Sequence, residues 1–441
     1  MNITLVVSID SNVYSGFKRP KIKNLPLGLA YIAAKLLQDG HKVSIIDPLV
    51  EELDFDTTIQ KILDTNPHIV GTSATTPVIV NALEVLQAVK LKDRSIWTVI
   101  GGPHISATAF QTLSDNIDFL DFVTIGEGEH TISELVNKLE SRNFDNIKGL
   151  GFVKTQNIVI NECREPEKNL DIFPFPARNL FSVSKYINTI RFNQDETPHI
   201  SLTSSRGCVG KCTFCGSNTT WGRFARFRSP QNIINEIIEC NKLFNSEHFI
   251  FVDDTFTTNR NHLKSICTKI TELPFKLQMF CSSRVDTIDR EKLEYLKKAG
   301  CYCVTYGIES GDDDILQLMG KHTNVSMIKN AIKMTKEVGI QTHGSFIIGN
   351  YNDTRETIQK TIQLAIDLEL DQVQFSILVP LPGTICYDLA KQENSFRCNP
   401  TDFKSFFWYY SVVANMTKDV MDSELIDLQK EAYFKWNQSK C

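Results

Sequence analysis

Short apolar runs alternate with longer amphipathic stretches along the first 140 residues of the chain. Runs rich in β-branched residues predict strands, and the stretches between them carry apolar residues at the spacing of a helix face. The predicted strands are 3–9, 42–47, 69–73, 98–100 and 122–125, and the predicted helices include 28–38, 78–90 and 131–140. This order of elements favours an α/β domain with a doubly wound, Rossmann-like parallel sheet over residues 1–140.

A second alternation of strands and helices runs from residue 198 to residue 390. Its strand patterns fall at 199–204, 248–252, 277–282, 302–308, 340–348 and 372–379. Such strands with intervening helices predict an open, partial (β/α)6 barrel of the TIM type, whose active site lies at the carboxyl ends of the strands.

Two segments lie outside these alternating patterns. Residues 141–197 are predicted to be a linker with a small hairpin near 151–160, because the prolines of segment 170–178 exclude a regular helix. Residues 391–441 are predicted to form a short helical tail. Its aromatic residues are expected to pack as core, namely Phe406, Phe407, Trp408, Tyr409 and Tyr410.

The composition is that of an ordinary globular protein, with 42% apolar and 22% charged residues in 441. A net charge of −5 provides no general attraction for nucleic acid or anionic lipid. No apolar run approaches the roughly 18 residues of a membrane span, and the first residues lack the basic segment of a signal peptide. We therefore expect a cytoplasmic protein that has neither nucleic acid nor a membrane as partner.

The twelve cysteines carry the strongest chemical signal in the sequence. Cys208, Cys212 and Cys215 form a CxxxCxxC cluster directly after a predicted strand, so three thiolates can converge there. Iron–sulfur clusters are held by cysteine thiolates, and a cubane with only three of them keeps one iron open for a small ligand. Two alternatives remain at this point, a zinc site completed by a histidine and three unrelated core cysteines. For Cys301 and Cys303, which share a strand face, packed thiols are favoured over a second metal site.

The cysteine cluster resembles the hallmark CxxxCxΦC of the radical SAM superfamily, with Phe214 as its aromatic residue and residues 203–207 as its lead-in. The resemblance implies that the three cysteines bind three irons of a 4Fe-4S cluster. The fourth iron then binds S-adenosylmethionine (SAM), which is reductively cleaved to a 5′-deoxyadenosyl radical.

Residues at later strand ends fit the same resemblance. Asp253 or Asp254 is expected to bind the SAM amine, with a helix cap as the alternative role of either carboxylate. The SAM carboxylate or ribose is assigned to Ser282, Ser283 and Arg284, and the alternative is surface solvation. Glu309 resembles the ribose-binding carboxylate of the family, against a salt bridge at the barrel rim. Ile347 and Gly349 lie in a strand that resembles the adenine-supporting one.

Residues 25–47 resemble the cobalamin-binding domain that is fused to many radical SAM enzymes, and the resemblance covers about residues 1–390. No Asp-x-His-x-x-Gly motif is present, so the lower face of the corrin is expected to lack a protein imidazole. The glycine pair 101–102 has a tight turn as its alternative, residues 72–76 a helix cap, and His104 a turn histidine. The predicted cobalamin contacts are Ser8, Asp10, Thr72, Ser73, Thr75, Gly101, Gly102, His104, Gly126, Glu127 and Gly128.

The resemblance implies a cobalamin-dependent, class B radical SAM methyltransferase that passes the methyl group of methylcobalamin to a small metabolite or natural-product intermediate. It also implies an external one-electron reductant of the flavodoxin or ferredoxin type. One alternative keeps both cofactors but catalyses ring contraction, cyclisation or another rearrangement without methyl transfer. Another is a cobalamin or iron–sulfur sensor without turnover.

Overall fold

The computed structural model describes residues 1–9, 24–155, 157–186, 199–406 and 412–440. Contacts among these residues divide the chain into two units. The first comprises Met1–His199 with Thr219–Gly222, and the second comprises Ile200–Asn218 with Arg223–Cys441. Each unit contains one large sheet.

The first unit is built on a seven-stranded sheet with strand order β2-β1-β3-β4-β5-β6-β7. Strands β1 to β5 are parallel, which confirms the predicted doubly wound arrangement. The strands are β1 (Asn2–Val7), β2 (Lys42–Ile46), β3 (Ile69–Ser73), β4 (Trp97–Gly101), β5 (Phe122–Thr124), β6 (Leu150–Lys154) and β7 (Asn157–Ile160). The helices are α1 (Leu27–Gln38), α2 (Phe55–Asp64), α3 (Ile79–Lys92), α4 (Pro103–Asp115) and α5 (Gly128–Lys138).

Helix α1 shows how the sequence pattern forms this core. Leu29, Ala33 and Leu36 recur at helical spacing and pack in one cluster with Ile3 and Leu5 of β1. The two leucines bury large apolar side chains against the sheet. The small side chain of Ala33 between them leaves room for the residues of the sheet.

The hairpin predicted inside the 141–197 linker forms, but it extends the first sheet rather than lying in a linker. Strand β6 pairs antiparallel with β5, and β7 pairs antiparallel with β6. The cause is aromatic burial, because the Phe144 ring lies 5.0 Å from the Phe122 ring and 5.6 Å from the Phe152 ring. Further along, the Tyr186 hydroxyl donates to Asp47 Oδ2 at 2.5 Å, so this part of the chain also packs on the first unit.

The second unit contains a six-stranded sheet whose strands are all parallel and follow one another in chain order. This arrangement confirms the predicted partial barrel. Its strands are β8 (Ile200–Leu202), β11 (His248–Phe251), β12 (Gln278–Ser283), β13 (Cys301–Glu309), β14 (Gln341–Ile348) and β15 (Gln372–Ile377). The strand predicted at 199–204 is shorter than expected, because β9 (Ser205–Arg206) leaves the sheet and pairs with β10 (Arg226–Phe227).

Most helices of the second unit begin at a side chain that accepts a hydrogen bond from a backbone amide of the first turn. The helices are α6 (Ser217–Trp221), α7 (Pro230–Phe244), α8 (Arg260–Thr271), α9 (Arg290–Lys298), α10 (Asp313–Leu318), α11 (Val325–Glu337), α12 (Arg355–Asp367), α13 (Ile385–Gln392) and α14 (Asp422–Gln438). The capping residues of α7 to α13 are Ser229, Asn259, Asp289, Asp312, Asn324, Thr354 and Thr384.

The predicted helical tail ends in α14, whose Gln429 donates to the Phe375 carbonyl of β15 at 2.9 Å. Phe406 is fully buried, as predicted, whereas Phe407, Trp408, Tyr409 and Tyr410 lie outside the described residues. Cys301 and Cys303 are buried as the sequence predicts. Across the described ranges, no helix is both long and apolar enough to cross a bilayer.

Candidate functional site

A cavity of about 420 Å³ opens at the carboxyl ends of β1, β3, β4 and β5 in the first unit. Thr220 and Trp221, from the 219–222 segment that groups with this unit, also line it. The structure thus brings together most of the predicted cobalamin contacts, namely Ser8, Thr72, Ser73, Thr75, Gly101, Gly102, Gly126, Glu127 and Gly128. Asp10 lies outside the described residues.

Gly101 and Gly102 allow close contacts between the ends of β3, β4 and β5. A Cβ on Gly101 would lie 2.2 Å from Thr124 Oγ1, and one on Gly102 would lie 2.6 Å from Ser73 Oγ. Gly102 also has φ +101°, a backbone conformation that favours glycine. Gly102 therefore makes the expected tight turn and at the same time forms a wall of the cavity.

The floor of the cavity, formed by Leu5, Gly71 and Val99, is apolar, and hydroxyl groups lie nearer the strand ends. Gly71 of β3 leaves the floor open, since a Cβ there would lie 3.0 Å from both Leu5 Cδ2 and Val99 Cγ1. Nearer the strand ends, the Ser8 and Thr72 hydroxyls are 2.5 Å apart. An apolar concave surface with a few convergent polar groups fits a bulky organic ligand, and the missing side chain of Gly71 provides volume for it.

His104 and Glu127 have structural partners. His104 does not line the cavity, and its Nδ1 lies 3.1 Å from Thr76 Oγ1. Burial lowers the pKa of His104 to about 4, so the imidazole is neutral near pH 7. These contacts favour the turn-histidine alternative. Glu127 lines the cavity, yet its Oε2 accepts from the Glu167 amide at 2.9 Å.

The three cysteines of the CxxxCxxC motif lie on one loop of the second unit, with Cys208 and Cys212 close to Gly210. The Gly210 amide donates to Cys208 Sγ at 3.3 Å, and a Cβ on Gly210 would lie 3.9 Å from Cys212 Sγ. Burial, with smaller contributions from the nearby Asp254, Cys212 and Cys208, raises the pKa of the Cys215 thiol to about 11. Within the described ranges, no three His, Cys, Asp or Glu side chains meet at a single metal-ion position. The donor set of three neighbouring thiols is the one an iron–sulfur cluster takes.

Asp253 and Asp254 have different surroundings. Asp253 is buried, and Oδ1 accepts from the hydroxyls of Ser204 at 2.7 Å and of Ser205 at 2.5 Å. Burial raises the pKa of Asp253, and these hydrogen bonds oppose the rise. Asp254 is exposed, accepts from the Ser217 hydroxyl at 2.7 Å, and lies near Cys215. Asp253 therefore anchors the start of the cysteine loop, and Asp254 is the carboxylate placed beside the cysteines.

The three residues at the end of β12, Ser282, Ser283 and Arg284, also differ in their surroundings. Ser282 is half-buried, and Ser283 is buried with its hydroxyl 2.6 Å from Thr257 Oγ1. Arg284 Nη1 donates to Cys212 Sγ at 3.6 Å. Surface solvation thus describes neither Ser283 nor Arg284.

Glu309 ends β13 in an unusual backbone conformation, with φ +70°. It is buried, and its Oε1 accepts from Lys321 Nζ at 2.7 Å. A Cβ on Gly307 would lie 2.4 Å from this oxygen, so a larger residue there would displace the Glu309 carboxylate. Left-handed conformations of non-glycine residues cluster at functional sites, where the surrounding structure holds them. The contact is the ion pair that the sequence left as the alternative.

Ile347, predicted to lie beside the adenine, shares an apolar surface with Phe214 of the cysteine motif. Phe214 and Ile347 pack against one cluster that includes Leu378 and Met416. Gly349 has φ +79°, and a Cβ there would lie 2.8 Å from Leu425 of α14. The glycine at 349 is therefore required by the packing of the tail helix.

Sequence reasoning missed Lys321 and His343. Lys321 stands in a short polar segment with no spacing that would distinguish it. His343 lies in a row of half-buried polar residues on neighbouring strands, formed by Ser282, Thr305, His343 and Gln372. The alternation of β14 could have indicated it, because His343, Ser345 and Ile347 share one face.

Comparison with known protein families gives one match for each of the two units. Residues 202–365 match the profile described as the Radical SAM superfamily, and residues 21–136 match that of the B12 binding domain. A protein of Pyrococcus horikoshii named "Uncharacterized methyltransferase PH0819" is 35% identical over 371 residues, which are 84% of this chain and 79% of that protein. The anaerobic magnesium-protoporphyrin IX monomethyl ester cyclase of Rubrivivax gelatinosus is 28% identical over 99% of this chain and 78% of its own length.

Among solved structures, the fold is similar to that of the radical S-adenosylmethionine methyltransferase TsrM from Kitasatospora setae, a structure with cobalamin and a [4Fe-4S] cluster bound. The TM-score is 0.73 at 18% sequence identity, over 90% of this chain and 79% of that one. The structural similarity supports the assignment of the fold of this chain.

Proposed function

This chain belongs to the radical SAM superfamily and joins that domain to a B12-binding domain, and on this premise we propose that it methylates a small molecule by cobalamin-dependent radical chemistry. The family membership confirms the prediction of a class B radical SAM enzyme. The predicted cofactor set of a 4Fe-4S cluster, SAM and cobalamin agrees with the two matched domains.

The observation that carries the proposal is that one chain holds both a glycine-walled cavity at the strand ends of its B12-binding domain and a loop with three neighbouring thiols. When bound, the cluster supplies the electron that cleaves SAM, and the cobalamin supplies the methyl group. The chain's own residues have to hold these groups, orient SAM and limit the access of water.

For SAM, we assign the amine to Asp254, because Asp253 already accepts from two serine hydroxyls. Glu309, kept in place by Lys321, is assigned to the ribose together with Ser282. Phe214 and Ile347, which pack against one apolar cluster, are assigned to the adenine side. The three cysteines are assigned to the cluster, and Ser282, Glu309 and Ile347 lie in the last two residues of β12, β13 and β14, at the carboxyl ends where a barrel places its active site.

For cobalamin, the cavity residues Ser8, Thr72, Ser73, Thr75, Gly101, Gly102, Gly126, Glu127 and Gly128 are the assigned contacts. The floor at Gly71 provides volume, and the hydroxyls provide hydrogen bonds. We assign His104 no cobalamin contact, because it is buried against Thr76 outside the cavity lining.

The substrate is proposed to be a small molecule that makes hydrogen bonds without a fixed charge. Support comes from three neighbours in this row of polar residues, Thr305, His343 and Gln372, in which Thr305 Oγ1 and His343 Nδ1 are 3.1 Å apart. Burial lowers the pKa of His343 to about 4, so this row carries no positive charge near pH 7.

The electron for SAM cleavage is proposed to come from a flavodoxin-type or ferredoxin-type protein. Reductive cleavage consumes one electron per SAM, and a small electron carrier supplies it at low potential. We further propose a cytoplasmic location, where twelve cysteines stay reduced.

The test does not require the substrate. Protein reconstituted anaerobically with iron, sulfide and cobalamin is incubated with dithionite and methyl-deuterated SAM, and the products are separated by mass spectrometry. The proposal predicts 5′-deoxyadenosine together with S-adenosylhomocysteine at about one equivalent per bound corrinoid, because transfer of a methyl group from SAM leaves S-adenosylhomocysteine. Formation of 5′-deoxyadenosine without S-adenosylhomocysteine contradicts methyl transfer.

A second candidate is a rearrangement or cyclisation that uses both cofactors. The observation that favours it is the similarity to cyclases, one at 28% identity over 99% of this chain and another at 29% over 90%. The same product analysis separates the two candidates. Absence of both products in fully loaded protein would favour the sensor alternative.

A further inference from the structure

The guanidinium of Arg284 is held by hydrogen bonds from all three of its nitrogens. Nε donates to Asp286 Oδ1 at 2.8 Å, and Nη2 donates to Asp286 Oδ2 at 2.7 Å. Nη2 also donates to the Lys321 carbonyl at 2.6 Å. With these donors engaged, the remaining nitrogen, Nη1, faces Cys212 and donates to its sulfur at 3.6 Å. A two-pronged contact of this kind fixes both the position and the direction of the guanidinium.

The same short segment that accepts from Arg284 also holds the cysteine loop. The Thr213 amide donates to the Met319 carbonyl at 2.9 Å. A Cβ on Gly320, which has φ +66°, would lie 2.7 Å from the Lys211 carbonyl. The segment Met319–Lys321 therefore contacts the residues on both sides of Cys212 and also contacts Arg284. The distance between the guanidinium and the Cys212 sulfur is consequently set by packing.

Gly210 keeps the space between them clear. A Cβ at this position would lie 3.3 Å from Arg284 Nη1 and 3.3 Å from Cys208 Sγ. A larger residue would separate the guanidinium from the thiols. The CxxxCxxC loop thus contains a glycine at the one place where the cation approaches the sulfur atoms.

We propose that Arg284 is a positioning residue that sets the reduction potential of the cluster through a hydrogen bond to the Cys212 sulfur, a proposal that rests on the proposed function. One-electron reduction makes the cluster more negative. A fixed cation and a hydrogen bond at a ligand sulfur stabilise the reduced form, so they raise the reduction potential. This role replaces the SAM contact that the sequence suggested for Arg284, because four of its five N–H donors bind Asp286, Lys321 and Cys212.

The test is a potentiometric titration with dithionite, followed by electron paramagnetic resonance of the reduced cluster in the full-length protein without SAM. The variants are R284Q, which removes the charge, and R284K, which keeps the charge but loses the fork. R290Q is the matched control, since Arg290 is an exposed arginine paired with Glu337 on a neighbouring helix. At the potential that half reduces the wild-type cluster, we expect the ratio of reduced to oxidised cluster in R284Q to fall at least tenfold. Tenfold corresponds to about 59 mV for one electron.

We expect a smaller fall in R284K and no change in R290Q. Unchanged potentials with weakened SAM binding by equilibrium dialysis would overturn the proposal and restore the SAM contact. If R284Q holds no iron, R284K decides, because it keeps the charge but loses the fork and should still shift the potential downward. Loss of iron in all of these variants except R290Q would make Arg284 an assembly residue and would also overturn the proposal. Wild-type protein that takes up no iron would instead refute the proposed function.

Discussion

The two candidate cofactor sites of this chain are constructed in opposite ways. The cavity of the first unit is formed by missing side chains, since Gly71, Gly101 and Gly102 each sit where a Cβ would meet a neighbour. The cysteine site of the second unit is formed by charged side chains from separate loops, chiefly Arg284 and the Glu309–Lys321 pair. Ligand binding in a site that is formed by missing side chains depends on the size of the residues around it. Binding in a site that is held by ion pairs depends on the charge of those residues.

The largest loss of activity is expected from substitution of the cluster cysteines. The same variants test whether the cavity binds cobalamin independently of the cysteine site. Replacing Cys208, Cys212 or Cys215 by alanine removes a cluster ligand, so we expect iron content to collapse and 5′-deoxyadenosine formation to fall at least about a hundredfold. Corrinoid uptake should stay at the wild-type level. Iron analysis, product quantification and a cobalamin spectrum measure all three. Cys398→Ala, outside the loop and partly exposed, is the control. Retained SAM cleavage in a cysteine variant would contradict the account.

The Glu309–Lys321 pair tests the dependence on charge. Glu309→Gln leaves a buried ammonium without its carboxylate, and we expect the free energy of unfolding to drop by about 3–5 kcal/mol. Urea unfolding of the second unit measures the loss, and the double variant Glu309→Gln/Lys321→Met should recover much of it. SAM affinity, measured separately, should remain low in the double variant if Glu309 binds the ribose. Recovery of both stability and SAM affinity would leave Glu309 a structural role only.

The floor of the cavity tests the dependence on size. Gly71→Val places a branched side chain against Leu5 and Val99, so we expect the affinity for aquocobalamin to fall at least about a hundredfold, or about 2.7 kcal/mol. Spectrophotometric titration measures the dissociation constant, and iron content should not change. Gly28→Ala is the control, because it also lines the cavity but has no atom within 4 Å of the added Cβ. Equal cobalamin binding by Gly71→Val and the wild type would show that the ligand does not reach the floor.

A smaller effect is expected at His104. Its folded-state pKa of about 4 lies below the ordinary value of 6.5, so the unfolded chain binds the proton first as pH falls. Stability is therefore lost as pH decreases through this window, by about 2 kcal/mol between pH 7 and pH 5. Urea unfolding of the apoprotein at the two pH values should show a loss reduced by this amount in His104→Asn. An identical pH dependence in the variant would show that His104 is not held neutral.

The strand-end rule explains why the cavity residues were predictable. The parallel strands end on one edge of the sheet, so the residues that follow them are brought together by topology alone. Ser73, Gly102 and Gly126 were found in this way, and each lines the cavity. The sequence predicts the hairpin of β6 and β7 but assigns it to a linker. Its local pattern does not reveal that Phe152 packs against Phe144.

Contacts between loops explain what the sequence did not show at the cysteine site. The spacing of Cys208, Cys212 and Cys215 is local and therefore readable. The bond from Arg284 to Cys212 and the pair of Lys321 with Glu309 join separate loops, and residue type does not specify such a contact. The sequence predicts that one aspartate of the 253–254 pair binds the SAM amine and does not say which, and only the hydrogen bonds from Ser204 and Ser205 show that Asp253 has structural partners.

The most direct measurement of the central claim is an anaerobic ultraviolet–visible spectrum of the reconstituted full-length protein with iron, sulfide and corrinoid determined on the same sample. The account predicts about four irons and one corrinoid per chain. Stoichiometric iron without corrinoid would contradict cobalamin-dependent methyl transfer, and corrinoid without iron would contradict the radical chemistry.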